Sequence, residues 1–237
     1  FKKRDTAKIG TRIIQTLEEA FARIGYRVFD FIFYEKPKTP IKPARKNWGG
    51  YSVEFKLIEH EKLMDLSNSR SALRRNATVV GPNQRRTFKI DISKFEFCSP
   101  KEKRELEGTT IFVYTPLMVI FEKLRAICQQ FPEYSQILRT HPRTARARDF
   151  VDIYPISEAF KIIWTAKGNG QLLKRIFSIK NVPIGHLKRI GEFREFHRQD
   201  FDAVKSTVHA GYELKEFDFY FDYVLSQCEE LKAAGII

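Results

Sequence analysis

Between Asp5 and Tyr34 the apolar residues change their period, and this change limits the fold more than any other feature of the chain. Ile9, Ile13, Leu17, Phe21 and Ile24 recur at three- and four-residue steps, which gathers them into one stripe of an amphipathic helix ended by Gly25. The segment YRVFDFIFY that follows is aromatic and β-branched with alternation, and predicts a strand over 26–34. A helix with one apolar stripe beside a strand with one apolar face points to an α+β protein in which helix packs on sheet.

The same reading continues along the chain. Lys36–Gly50, with three prolines and Trp-Gly-Gly, reads as a loop. YSVEFKLIE predicts a second strand over 51–59, with Val53, Phe55 and Leu57 on one face and Glu54, Lys56 and Ile58 on the other. A helix is expected over 60–75, and strands over 87–97 (TFKIDISKFEF) and 109–114 (TTIFVY). Thr115-Pro116 then opens a helix, Thr as its cap and Pro at its first position, carrying the stripe Leu117, Ile120, Phe121, Leu124, Ile127, Cys128 and Phe131. Beyond Phe131 only helices are predicted, near 144–164, 170–179, 184–190, 192–209 and 213–233. The last presents Leu214, Phe217, Phe221, Val224, Leu225 and Cys228 on one face. The expectation is a mixed sheet with helices in residues 1–135 and an all-helical region in 136–237.

Charge narrows the function classes. The chain of 237 residues has 42 Lys plus Arg against 29 Asp plus Glu, a formal charge of +13, which favours an anionic partner. The basic residues gather at Lys36, Lys38, Lys42, Arg45 and Lys46, at Arg74, Arg75, Arg85 and Arg86, and at Arg139, Arg143, Arg146 and Arg148. Arg85, Arg86, Arg143 and Arg146 are the candidate nucleic-acid contacts. No apolar run approaches the roughly 20 residues of a membrane-spanning helix. Cys98, Cys128 and Cys228 are far apart, which fits free thiols in a reducing, cytoplasmic compartment better than a disulfide framework. The five histidines show no zinc-site spacing.

Three positions could carry chemistry. Asp91 stands in an alternating apolar strand, where a carboxylate is either an exposed edge residue or a ligand for Mg²⁺. Lys123 lies about 100° from the centre of its helix's core stripe, where its stem can follow the core edge and its ammonium enter a cleft, or simply reach solvent. Asp149 and Asp152 are one helical turn apart, within reach of Arg146 and Arg148 respectively. Surface pairs of that kind contribute about 0–1 kcal/mol, a weak structural reason for so much charge.

VYTPLMVIFEKLRAICQQ (113–130) followed by RARDFVDIY (146–154) resembles the later motifs of the AbiEii/AbiGii-type nucleotidyltransferase toxin family, and the resemblance extends to GGYSVEFKLIE and FKIDISKFEFC. That family belongs to bacterial abortive-infection and toxin–antitoxin systems and shares the DNA polymerase β-like nucleotidyltransferase fold. The resemblance implies catalytic roles for Asp91, Lys123 and Asp149, nucleotide binding by Lys123 and Arg148, and Asp91 as a ligand of Mg²⁺ or Mn²⁺. It further implies NTP as substrate, an RNA acceptor such as tRNA, and a cognate antitoxin. The three residues are then expected to line one pocket. The family's Gly-rich turn and Asp-x-Asp strand are not found before the helix at Asp5, which looks like the element following that strand. Either the chain begins partway through a longer protein, which its start at Phe1 without an initiator Met favours, or the protein has lost its main metal ligands.

Two other readings compete. Asp30 followed by Glu54-Phe55-Lys56 has the D…ExK spacing of metal-dependent nucleases, in which carboxylates bind the cation and the lysine stabilises charge near the attacking water. The other is a catalytically inactive scaffold that binds nucleic acid or a partner protein.

Overall fold

The computed structural model describes residues 3–37, 48–66, 69–81, 83–136, 143–209 and 211–237, with side chains from Ala7 onward. The chain forms two compact units, Phe1–Phe95 and Glu96–Ile237. The expected boundary at 135/136 falls inside the second of these, in the 3-10 segment Pro132–Gln136.

The first unit contains α1 (Lys3–Ala22), β1 (Tyr26–Lys36), β2 (Gly50–Glu59), α2 (His60–Asp65), α3 (Arg70–Asn76) and β3 (Phe88–Ser93). Its sheet is antiparallel in the order β1-β2-β3. Directly opposed residues share a face, so the pairs Phe33–Val53, Val53–Ile90 and Phe55–Phe88 build one apolar surface. Val28, Val53, Phe55 and Leu57 are buried there, and Ile13, Leu17 and Phe21 of α1 pack on them. Phe21 lies 5.8 Å from Phe55, which stacks on Phe88 at 5.2 Å. Gly10 is the point of closest approach, since a Cβ there would sit 2.8 Å from Phe33 Cδ1. Ile24, expected in the stripe, is exposed: α1 ends at Ala22, and Ile24 belongs to the turn into Gly25, whose φ is 81°.

The other face of the sheet is polar, with Ser52 opposite Asp91 and Glu54 opposite Lys89. Gly50 holds the β2–β3 pair close, because a Cβ at this position would lie 2.0 Å from the Ile92 carbonyl oxygen. Backbone, unlike a flexible side-chain tip, cannot step aside. Gly50→Ala should therefore cost about 1–3 kcal/mol of stability in urea unfolding, as overpacking does; an unchanged midpoint would refute this.

The helix expected over 60–75 is two. Ser69 Oγ accepts from Ala72 N–H at 3.5 Å and caps a fresh start, α3.

The second unit contains β4 (Lys101–Leu106), β5 (Thr109–Tyr114), α4 (Pro116–Cys128), α5 (Ala147–Ala159), α6 (Asn169–Ile179), α7 (Arg194–Arg198), α8 (Phe201–Lys205) and α9 (Phe217–Ala233), with 3-10 segments Pro132–Gln136 and Ile184–Phe193. β4 was not expected. Its sequence KEKREL has no apolar alternation, and it forms because Glu107 and Gly108, with φ of 48° and 75°, make the two-residue turn that pairs it with β5. The segments expected as helices over 184–190 and 192–209 are a 3-10 stretch followed by two short helices, α7 and α8. Thr115 caps α4 through its side chain, as its sequence predicts.

α4 is the centre of this unit, with Met118, Ile120, Phe121, Leu124 and Ile127 fully buried. Trp164 meets Phe121 edge-on, and its indole N–H donates to Ser157 Oγ at 3.2 Å. Phe150 of α5 stacks on Phe221 of α9. Cys128 and Cys228 are buried free thiols and Cys98 is an exposed one. The α+β class and the helical C-terminal region are as expected, and the described strand pairs are all antiparallel. No helix among the described residues is long and apolar enough to cross a membrane.

Candidate functional site

Two helices of the second unit build a charged centre. α4 buries its apolar stripe and thereby turns Lys123 toward α5, where Asp149 and Asp152 share a face. Lys123 Nζ donates to Asp149 Oδ1 at 3.0 Å and to Asp152 Oδ2 at 2.7 Å. The three side chains are 20%, 13% and 33% exposed, so the ammonium lies at the edge of the core but within reach of solvent. Burial by itself would lower the Lys123 pKa; the Asp149 charge and the hydrogen bonds that Lys123 donates to Asp152 and Asp149 outweigh it and hold the pKa above the ordinary lysine value. Lys123 is thus a fixed positive charge, unsuited to act as a base near neutrality.

The arginines on the same segment complete the centre. Arg146 Nε lies 2.8 Å from Asp149 Oδ2, close enough for an ion pair but off the line of a hydrogen bond. Arg148 Nε is 3.8 Å from Asp152, and its Nη1 donates to Thr207 Oγ1 at 2.7 Å. Glu122, next to Lys123 in sequence, points elsewhere: it takes the Arg125 guanidinium, while Glu96 pairs with Lys180 nearby at 3.1 Å.

His197 fixes the start of α5, and nothing in its sequence context marks it. Its Nδ1 accepts from Arg146 N–H at 3.1 Å, which places the ring proton on Nε2. Burial, and then the charges of Arg143 and Arg146, push its pKa down to about 4. Between the ordinary value of 6.5 and that value the unfolded chain takes up a proton that the folded chain refuses. Stability should therefore fall as pH drops through this window, by about 2 kcal/mol from pH 7 to pH 5. Urea unfolding at the two pH values tests it: His197→Gln should flatten the difference, and an equal slope in both proteins would refute it.

The remaining expected residues are placed as follows. Asp91 belongs to the first unit, on β3, with its side chain 61% exposed; Oδ1 accepts from Lys36 Nζ at 3.1 Å and Ser52 Oγ at 2.9 Å, and Lys89 Nζ is 3.5 Å from Oδ2. Arg143 Nε donates to the Gln130 carbonyl at 2.6 Å, and its guanidinium lies 4.4 Å from the Phe196 ring. Arg86 donates to the Ala77 carbonyl and to Gln84, and Arg85 is exposed. Lys38, Lys42, Arg45, Lys46 and Arg139 lie outside the described residues. Asp152, which the sequence marks only as a partner of Arg148, makes the shorter of the two bonds to Lys123. The signal for it was present: an i, i+3 carboxylate pair shares a face, and one cation can bridge both. No group of three His, Cys, Asp or Glu side chains among the described residues is arranged to hold a metal ion.

These features define an α+β protein with a lysine held between two carboxylates on neighbouring helices of its helical part. The family model for the nucleotidyl transferase AbiEii toxin of type IV toxin–antitoxin systems matches residues 7–223, and the chain belongs to this family. No curated protein and no solved structure matches it.

Proposed function

We propose that the protein transfers a nucleoside monophosphate from an NTP to an acceptor hydroxyl, with RNA such as tRNA as the acceptor class. The observation that carries this reading is the solvent-reachable ammonium of Lys123, oriented by Asp149 and Asp152 at 3.0 and 2.7 Å. The acceptor oxygen forms a bond to the α-phosphorus as the bond to the pyrophosphate group breaks, its hydroxyl proton passes to solvent, and negative charge collects on the departing pyrophosphate. Lys123 meets that charge as a point cation, with Arg148 beside it, while Asp149 and Asp152 hold the ammonium in place until phosphate oxygens replace them.

Nucleotidyl transfer of this kind is assisted by divalent cations, which neutralise the phosphates. Asp91 is our candidate ligand for Mg²⁺ or Mn²⁺. One carboxylate beside two lysine ammonium groups does not by itself make such a site, which needs further carboxylates. As a toxin-family member the protein is also proposed to bind a cognate antitoxin, and to present Arg85, Arg86, Arg143 and Arg146 toward nucleic acid.

The test is incubation of the full-length protein with labelled NTPs, Mg²⁺ and total RNA. Label should move to RNA. Absence of label on RNA or protein, with a working control transferase alongside, would overturn the reading and leave the inactive binding scaffold.

A further inference from the structure

Asp30, Glu54 and Lys56, whose spacing suggested a metal-dependent nuclease, do share one cavity of about 400 Å³ on the polar face of the first unit's sheet. The chemistry around them is not that of a cation site. A bulge between Phe29 and Ile32 puts Asp30 in the left-handed region, with φ at 50°, and turns its carboxylate toward α3. There Arg70 Nε donates to Oδ1 at 3.1 Å, while Arg74 donates through Nε to Oδ2 at 2.5 Å and through Nη2 to Oδ1 at 3.2 Å. Both carboxylate oxygens are engaged by guanidinium groups, and two positive charges beside Asp30 oppose a third. Glu54 accepts from the Tyr34 hydroxyl at 2.7 Å, and Lys56 Nζ donates to Thr87 Oγ1 at 3.0 Å.

Asp30 is 8% exposed, whereas Arg70 and Arg74 are 75% and 54% exposed. The carboxylate therefore acts as an internal anchor that sets two guanidiniums side by side on the cavity rim. Both Nη groups of Arg70 and Nη1 of Arg74 make no hydrogen bond among the described residues. Three cationic side chains against two carboxylates line the cavity. Fixed, planar, outward N–H groups suit a phosphate oxyanion, because less rotamer freedom is lost when it binds.

We infer that this cavity is a phosphate-binding site, in which Asp30 fixes the Arg70–Arg74 pair and their outward N–H groups, together with Lys56, grip a phosphate of a nucleotide or of a nucleic-acid backbone. It stands apart from the transfer reading, since binding without turnover satisfies it.

The test measures binding to the full chain in EDTA, with inorganic tripolyphosphate and with a 20-nucleotide RNA as probes. Asp30→Asn keeps an acceptor for the arginines and removes the competing charge, so it should tighten binding about threefold or more. Asp30→Asn combined with Arg70→Gln and Arg74→Gln removes both guanidiniums together with the carboxylate charge they neutralise, and should weaken binding about tenfold. The salt slope for RNA should fall by about 0.7, one phosphate's share on a single strand. A response with RNA alone assigns the phosphate to a nucleic-acid backbone; a response with both probes admits a nucleotide. Lys56→Gln supplies the loss-of-binding arm if the triple variant does not fold. Binding unchanged in the triple variant, or weakened by Asp30→Asn, would overturn the inference. The second of those results, accompanied by Mg²⁺-dependent cleavage, is what a nuclease centre would give. Absence of labelled-NTP transfer by the parent protein, with binding that responds as stated, counts against the transfer reading alone.

Discussion

Lys123→Met should lower the rate of nucleotidyl transfer at least about a hundredfold, the size of effect seen when one preorganised charge is removed from a transition state. Met keeps the stem that lies along α4 and deletes only the ammonium, so the loss reports the charge. The variant also leaves Asp149 and Asp152 facing each other with Arg146 and Arg148 as their remaining partners. Breaking a fully buried ion pair costs about 3–5 kcal/mol. Here Lys123 and Asp152 are 20% and 33% exposed, and water screening reduces the penalty to about 1–2 kcal/mol. A second variant separates the two effects. Lys123→Met with Asp152→Asn should regain stability, because it removes the excess negative charge, and should stay inactive. Label transfer within tenfold of the parent in the single variant would remove Lys123 from the mechanism. Activity regained together with stability in the double variant would reduce its role to packing.

The largest stability effect is expected at Phe150. It is fully buried between the two carboxylates in sequence, with its ring 4.8 Å from Phe221, 5.7 Å from Phe217 and 5.2 Å from His197. Truncation to Ala removes a ring that its neighbours on α7 and α9 cannot replace, and should cost about 3–5 kcal/mol in urea unfolding followed by circular dichroism. Asp149 and Asp152 lie on the helix that this ring anchors, so transfer should fall even under conditions where the variant is folded. A cost below about 1 kcal/mol would mean that α5 is held mainly by its charges.

Much of the fold could be read in the chain because burial imposes a period. The stripe of α1 and the stripe of α4 are repeats that a single buried face forces on a helix. The strand over 50–59 shows the corresponding two-residue alternation. Thr115-Pro116 marked the start of α4 because capping is local chemistry. β4 left no such mark: its six residues carry no apolar alternation, and its pairing is decided by the Glu107-Gly108 turn and by β5. The split of the 60–75 helix, by contrast, did leave a mark that the period of the apolar residues hides: Ser67-Asn68-Ser69 are poor helix formers, and Ser69 caps the restart.

The same division runs through the two charged sites. The sequence by itself determined that Lys123 stands on the flank of a core helix and that Asp149 and Asp152 share a helix face, since both follow from the angle per residue. Only the tertiary structure decided that α4 and α5 turn those flanks toward each other, that His197 fixes the start of α5, and that Asp30 meets two arginines 40 and 44 residues away. Periodicity encodes which side of an element is buried, but the partner across a charged contact is chosen by packing between elements distant in the chain, and no local pattern records that choice.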